Sequence, residues 1–570
     1  MTLILNRRED FAAQALAGLV QAYPTRVRLA PGGVVRATRR RPGKVSVVVG
    51  GGSGHYPAFA GIVGTGLADG AVCGDVFASP STQQVMDICR AVDTGAGVWL
   101  SFGNYAGDVL NFGAAASRLR AQGMSINALA VTDDVASAEA GEEHRRRGVA
   151  GDLVVFKVAG AAAEQGYDLA AVTEVAARAN ERTRSFGVAF DGCTLPGADQ
   201  PLFTVPQGRM AIGLGIHGEP GIAEADLPTS AGLAELLVER LLTDAPAGGG
   251  TRVAALLNGL GTVKYEELFV LWQDVQRLLR DKGFELVGAE VGELVTSLDM
   301  AGVSLTISWL DEEIEGLWLA PCDTPAFRRT PPEELDPSPL PEGSRMAAVI
   351  EAGPDGQAAG RRVLVAITAI EALLREREDD YARLDTVAGD GDHGRGMARG
   401  AGAALLAATA AVEAGGDGPT VLRHAAEAWA DRAGGTSGAL WGAGLLGVAG
   451  ALPADALITA ESLVAGVSQA LTEVTSIGGA QPGDKTLVDA LVPFAGTLSE
   501  SFASAGDLAE AWAAAADAAT RAAAETAQIP ARLGRSRVLG SKSLGTPDPG
   551  ATSLADITGT LLAVVARPTS

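Results

Sequence analysis

The residues of this chain that could do chemistry are gathered in a few glycine-rich stretches. In VSVVVGGGSGHYPAFAG (45–61) a β-branched run stops in glycines, with His55 at its end. A histidine set on such a turn is held by backbone, and the bare glycines beside it leave room for a small ligand. His217 has similar surroundings in GLGIHGEPGI (213–222), and the chain holds only five histidines. In LDTVAGDGDHGRG (384–396), Asp385, Asp390 and Asp392 bring three carboxylates within eight residues on a loop loosened by Gly389, Gly391 and Gly394, a set of hard oxygens suited to Mg²⁺. A calcium loop is a poorer reading, because the EF-hand spacing and its terminal Glu are missing.

Two G-x-G-x-x-G matches, at Gly213/Gly215/Gly218 and Gly389/Gly391/Gly394, do not read as dinucleotide sites. The first runs into Glu219-Pro220 instead of opening a helix, and the second carries carboxylates that repel phosphate unless a metal intervenes. No G-x-x-x-x-G-K-[ST] occurs, and GDKT (483–486) has the wrong order, so any bound ATP is held without a P-loop. GGTSGALWG (434–442), GGAQPGDKT (478–486) and GRSRVLGSKSLGTPDPGATS (534–553) read as three more polar loops offering backbone N–H groups, hydroxyls or an arginine to phosphate. Because each lies between helical segments, the pattern places them together at one end of a bundle.

The elements that position these residues change character along the chain. Upstream, VSVVV (45–49), VWLSF (98–102), INALAV (126–131), VAALLN (253–258) and VSLTISWL (303–310) read as strands, and 81–92 and 265–281 as helices, an α/β alternation. Downstream, 361–379, 397–413, 419–432, 455–474, 485–501 and 507–527 are Ala-rich with helical periodicity, which predicts an all-α half. The Pro- and charge-rich stretch 322–345 marks the boundary, giving domains 1–330 and 351–570 around a linker at 331–350. A net charge of −23 disfavours nucleic acid and anionic membranes as partners. Four scattered cysteines, no signal-type h-region and no apolar run of about 18 residues predict a reduced, cytoplasmic protein. His144 and His424 are expected to be solvated, and tryptophans such as Trp99, Trp309, Trp318 and Trp512 to lie in the core.

Taken together, GGGSGH, NYAGDVLNF, GLGIHGEPG, LDxxxGDGDHG, GGTSGALWG, GDKTLVDAL and the terminal GRS…LG…DPGATS resemble the dihydroxyacetone kinase family in its single-chain, ATP-dependent form. The resemblance implies a ketose-binding α/β half of two subdomains and an ATP-binding half built as an antiparallel barrel of eight helices. It implies that His217 holds the ketone as a covalent hemiaminal and that His55 and Asp108 act as acid/base groups. Gly52, Ser53, Gly54, Ser79 and Gly103 then lie near the substrate. It further implies that Asp385, Asp390 and Asp392 hold two Mg²⁺ ions. Nucleotide contacts are implied for His393, Gly394, Arg395, Thr436, Ser437, Gly478, Thr486, Leu487, Arg535, Asp548 and Gly550. A homodimer is the assembly the family suggests.

The chain departs from the family at the substrate. Members that use dihydroxyacetone commonly read GHEPAH and carry a lysine before NYxGD, where this chain has GHYPAF and Gly103. Tyr56, Phe59 and Gly103 thus replace an acid, a histidine-type group and a cationic donor. The room expected at Gly103 favours a four-carbon ketose such as erythrulose, beside or above dihydroxyacetone. Two rival readings are a ketose-sensing regulator and a kinase subunit served by a phosphotransfer protein; an FAD-cyclising side activity is a further family trait.

Overall fold

The computed structural model describes residues 2–219, 221–331, 333–334, 336–338, 347–533 and 540–566. It divides into two compact units, Met1–Asp336 and Pro337–Ser570. Residues 332, 335 and 339–346 of the expected linker, and Arg535, lie outside the described residues.

The first unit is built on two sheets. The largely apolar run after Lys44 becomes the strand Ser46–Ser53, buried along nearly its whole length. It pairs in parallel with Gly70–Val76 on one side and Val98–Gly103 on the other, and Val98–Gly103 pairs in parallel with Ile126–Val131. The hairpin Val27–Ala30/Gly33–Arg36 closes one edge antiparallel. Both faces are covered, as continuous hydrophobic strands require. On one lie the helices Thr82–Val92 and Ala106–Ala121, through Val85, Ile88 and Phe112. On the other lies Asp152–Gln165, through Phe156, Val158 and Ala162. Thr82–Val92 starts where the pattern places it, because Ser81 and Gln84 form a reciprocal capping box.

The second sheet runs Glu285–Leu286, Arg252–Gly259, Gly302–Trp309, Thr183–Ala189, Arg209–Ile212 and Ala223–Asp226, with Glu290–Gly292 also pairing to Arg252–Gly259. Alternation along Arg252–Gly259 sends Val253, Ala255 and Leu257 towards the helices Ser230–Thr243 and Tyr265–Asp281. Ala254 and Leu256 go to the core shared with the first sheet. The two sheets of this unit thus meet over one hydrophobic mass, and the turns at their junction carry His55 and His217.

The second unit is all-α. Among the described residues it contains Pro354–Glu376, Glu378–Ala388, His393–Glu413, Gly418–Ala433, Gly435–Ala451, Ala460–Gly478, Val488–Ala505, Leu508–Glu525 and Pro549–Val565. The first two are separated by Arg377 alone, so the eight expected helices become nine by a single break. Consecutive helices pack as neighbours, and Pro549–Val565 returns to Pro354–Glu376 to close the ring. Small residues let the helices approach: a Cβ on Gly442 would lie 2.7 Å from Ala430 Cβ, and one on Gly447 2.9 Å from the Ala470 backbone.

Three expectations are corrected here. GGTSGALWG is not a loop, since Gly435 already opens a helix that runs to Ala451. Asp385 sits in the last turn of Glu378–Ala388, not on the glycine loop after it. His424 is buried on the inner face of Gly418–Ala433, because the apolar stripe Val421, Leu422, Ala425 and Trp429 carries it inward. His144 is exposed. Trp99, Trp309, Trp318 and Trp512 are core residues, and all four cysteines are free. No helix among the described residues is long and apolar enough to cross a membrane.

Candidate active site

In the first unit, the turn after Ser46–Ser53 and the turn after Arg209–Ile212 bring two imidazoles together: His55 Nε2 and His217 Nε2 lie 3.0 Å apart. His55 Nδ1 meets the Thr296 carbonyl at 2.8 Å. His217 Nδ1 meets Glu219 Oε1 at 3.2 Å, while the His217 backbone N–H donates to Glu219 Oε2 at 2.9 Å. A carbonyl only accepts. Burial pushes the Glu219 carboxyl up, but its hydrogen bond with His217 and that ring's charge take it down to about 2, so it is an ionised acceptor. Both Nδ1 atoms therefore donate, and the contact between the two Nε2 atoms needs one more proton. The pair thus holds a single shared positive charge facing Glu219. Burial, with the charge of His217, lowers His55 to about 3.

Aromatic rings fix both imidazoles. Phe77 stacks on His55 at 5.0 Å, and Tyr105 meets His217 edge-on at 4.5 Å. Gly54 has φ +107, and a Cβ there would lie 2.9 Å from the Phe77 ring, so glycine is required on both counts. Gly52 is needed for a different reason: its Cβ would stand 2.9 Å from the Ala78 backbone N. Ser53 Oγ donates to the Gly74 carbonyl at 2.6 Å. Arg147, which pairs with Asp134 at 2.7 Å, lies 3.9 Å from Glu219 and supports its charge.

Asp108 enters from the first turn of Ala106–Ala121 and is 7% exposed. Burial raises its pKa, while a hydrogen bond with Ser79 and the charge of His217 oppose the rise. Its Oδ1 is buried with no donor among the described residues. Ser79 Oγ also accepts from Asn111 Nδ2 at 3.4 Å.

The residues that depart from the family behave differently from expectation. The space left by Gly103 is not open: a Cβ there would lie 3.0 Å from the Tyr105 ring and 3.2 Å from the Gly148 carbonyl. Phe59 is buried in the core, its ring centroid 6.2 Å from that of Phe156. Tyr56 is 46% exposed and lines a cavity of about 570 Å³ together with Gly52, Gly54 and Thr296. Glu219, Arg147, Tyr105, Phe77 and Thr296 were not singled out from sequence. Glu219 stood beside His217 in the motif and could have been found. Thr296, 241 residues from His55, left no local signal.

In the second unit, one carboxylate oxygen from each of Asp385, Asp390 and Asp392 lies within 4.8 Å of the others. Only carboxylate oxygens meet there, a donor set that fits Mg²⁺. Asp385 is buried and accepts the His393 backbone N–H at 3.1 Å, which ties the cluster to the start of His393–Glu413. Gly394 permits this approach, since a Cβ there would overlap the Glu378 carbonyl oxygen.

Around His393 the helix starts converge. Ser553 Oγ lies 3.0 Å from its Nε2 and Ser437 Oγ 3.5 Å from its Nδ1. Thr436 is exposed at the same helix start as Ser437, and Arg395 is exposed in the first turn of His393–Glu413. Leu487 opens Val488–Ala505, and a Cβ on Gly550 would lie 3.4 Å from Leu487 Cβ. Asp548 caps Pro549–Val565, accepting from Ala551 N at 2.7 Å. Thr486 N donates to Asp489 Oδ2 at 2.7 Å. Lys485 turns inward and donates to the carbonyls of Ser543 at 2.6 Å, Thr546 at 2.8 Å and Ile529 at 3.2 Å, pinning the chain before Asp548. Gly478 closes Ala460–Gly478, its missing Cβ 3.0 Å from Leu440. Four helix N-termini thus face one another, a setting that favours phosphate oxygens.

Fold and site together define a two-part kinase: residues 17–326 match the Dak1 domain and residues 387–563 the DAK2 domain, in that order. The chain belongs to the dihydroxyacetone kinase family in its single-chain form. It is 51% identical over 564 residues to the D-erythrulose kinase of Mycolicibacterium smegmatis, covering 97% of each chain. To the L-erythrulose kinase of Pectobacterium atrosepticum it is 52% identical over 579 residues, covering 100% of this chain and 98% of that one. Among solved structures it is similar to the dihydroxyacetone kinase from C. freundii in complex with AMP-PNP and Mg²⁺, with a TM-score of 0.61, 32% identity and 99% of each chain covered.

Proposed function

We propose that the protein transfers the γ-phosphoryl group of ATP to a terminal hydroxyl of a short ketose, with four-carbon ketoses such as erythrulose among its substrates. The observation that carries this reading is the proton-sharing pair His55–His217, backed by Glu219 and set beside Asp108. Relatives of about half-identical sequence that bear the name erythrulose kinase support the choice of sugar.

When a ketose enters, His217 passes its Nε2 proton to His55 and its freed lone pair attacks the ketone carbon. A C–N bond forms, the carbonyl π bond breaks, and the new alkoxide takes the proton back from His55. The positive charge ends on the alkylated His217 ring, opposite Glu219, so charge is conserved throughout. Glycerol has no carbonyl and cannot be gripped in this way, which separates two molecules of nearly equal shape by chemistry. Asp108, held with an oxygen free of donors, accepts the proton of the terminal hydroxyl. Asp385, Asp390 and Asp392 would hold Mg²⁺, which, when bound with ATP, neutralises charge on the phosphates. His393, Ser437, Thr486 and the helix starts around them would orient those phosphates. The metal-binding carboxylates tell against a purely ketose-sensing regulator, which needs no such set.

The test is ADP release on adding dihydroxyacetone, erythrulose or glycerol to enzyme, ATP and Mg²⁺, with intact mass read before ATP is added. Ketose-dependent turnover without any carrier protein, and a ketose-sized mass gain lost in His217→Ala, are expected. Turnover with glycerol, or no turnover without a phosphotransfer protein, would overturn the reading.

A further inference from the structure

Neither histidine turn is held by its own strand alone. A third stretch of chain, residues 296–298, bonds to both, and its alternate residues serve alternate turns. On one side the Thr296 carbonyl meets His55 Nδ1 at 2.8 Å, Thr296 Oγ1 donates to the Tyr56 carbonyl at 2.8 Å, and Leu298 N donates to the Gly54 carbonyl at 2.8 Å. On the other, Ser297 Oγ donates at 2.5 Å to the carbonyl of Ile216, the residue just before His217. Thr296 and Ser297 are thus neighbours in sequence that each hold the turn of a different imidazole.

The stretch is itself fixed from below. Asn258, fully buried in Arg252–Gly259, accepts from Leu294 N at 2.8 Å and Val295 N at 3.0 Å, and donates to the Val295 carbonyl at 2.8 Å. Ser297 N donates to the Leu260 carbonyl at 2.8 Å. Leu298 takes φ +53, a left-handed conformation that a leucine adopts only where its surroundings impose it, and such positions gather at functional sites. Ser297 is fully buried, so its hydroxyl is kept out of water and is answered by Ile216. Arg147 Nη2 holds the same loop further back, at the Gly213 carbonyl, 3.2 Å away.

The geometry points to Ser297 as a positioning residue: its hydroxyl ties the backbone beside His217 to the same rigid stretch that takes His55 Nδ1, and so sets the 3.0 Å between the two Nε2 atoms. This rests on the ketose kinase reading and adds to it the residue that registers one imidazole against the other. Ser297 acts through the Ile216 backbone and not on the ketose. A hydrogen bond weakens steeply with distance and misalignment, so a small drift of the His217 turn interrupts proton sharing and slows capture of the ketone. The nucleotide site lies in the other unit and is not affected.

Ser297→Ala and Ser297→Thr test it in the full-length enzyme. Alanine deletes the hydroxyl and little else, whereas threonine keeps it. One readout is the rate of adduct formation with erythrulose, followed by quenched-flow intact mass and corrected for the folded fraction. The other is the set of side-chain N–H signals of ¹⁵N-histidine-labelled protein without substrate, among which a proton shared between two imidazoles is distinct. Ser297→Ala is expected to slow adduct formation about ten- to a hundredfold and to lose that signal, with MgATP affinity within about twofold of the parent's. Ser297→Thr should restore both. If threonine overpacks the site and the protein does not fold, Ser297→Cys, a weaker donor, takes its place and should fall between alanine and the parent. If Ser297→Ala captures ketose within about twofold of the parent's rate, or keeps the shared-proton signal, or if neither replacement rescues it, Ser297 serves packing alone. The assignment then fails while the kinase reading stands. If the parent forms no ketose adduct, the capture step of the proposed function fails and takes the assignment with it.

Discussion

His55 Nε2 and His217 Nε2 face each other at 3.0 Å across 162 residues of sequence, with each ring's other nitrogen committed to an acceptor. One proton must therefore be shared, and the pair is poised to move it. His55→Ala removes the proton acceptor and is expected to lower kcat by about 10²–10⁴-fold, with the ketose adduct forming more slowly. His217→Ala should abolish the adduct altogether. Stopped-flow turnover and intact mass distinguish the two effects.

Glu219 is the counter-charge of that pair. Glu219→Gln keeps a hydrogen bond to His217 but loses the negative charge and the support of Arg147. A fall in kcat of about a hundredfold is expected from a misdirected His217 ring. The alkaline limb of the pH–rate profile should move to lower pH as well, because the proton shared by the imidazole pair loses its counter-charge. An unchanged profile would mean that Glu219 acts only on packing.

The carboxylate cluster predicts a metal dependence. Asp390→Asn and Asp392→Asn are expected to raise the Mg²⁺ concentration needed for half-maximal rate, and a chelator to abolish turnover in the parent. Titration with Mg²⁺ at saturating ATP reads this. The mass gain with ketose should survive in both variants, since the imidazole pair lies in the other unit.

Asp548 predicts a pH dependence of stability in the helical unit. Burial pushes its carboxyl up to about 7; the Ala551 N–H opposes the shift and the charge of Asp489 adds to it. The folded state therefore keeps a proton that the unfolded chain releases near pH 4. This contribution is fully present below about pH 4 and is lost as pH rises to about 7, at about 1.4 kcal/mol per pH unit in that window. Asp548→Asn keeps the cap without the titration, so its melting temperature should overtake the parent's as pH rises.

Helix approach in the second unit predicts opposite outcomes for two glycines of one helix. Gly394→Ala drives a Cβ into the Glu378 carbonyl and should destabilise by about 1–3 kcal/mol or more. Gly402→Ala meets nothing within 4 Å and should stabilise by about 0.5–1 kcal/mol. Thermal melts of the two variants side by side decide it.

Much of this protein was legible in local pattern. The runs at 126–131 and 265–281 are the strand Ile126–Val131 and the helix Tyr265–Asp281, because burial on one or both faces writes its period directly into the residues. Short strands such as Gly70–Val76, Arg209–Ile212 and Ala223–Asp226 escaped notice: their glycines and charges are tolerated only because neighbouring strands supply the pairing. Gly435–Ala451 was misread as a loop at its start for the same reason, since its glycines serve contacts with Gly418–Ala433 and not local propensity.

Taken alone, the amino-acid order determined the two-part architecture, the imidazole and carboxylate motifs, and the kind of ligand each suits, because spacing and residue type are local properties. Only tertiary structure decided that His55 and His217 share a proton, that Glu219 and Thr296 orient them, that Tyr105 fills the space beside Gly103, and that Ser297 ties the turn of His217 to the stretch that holds His55. Those facts depend on distances between segments far apart in the chain. Such distances are set by how the sheets and helices pack, and no stretch of sequence carries them.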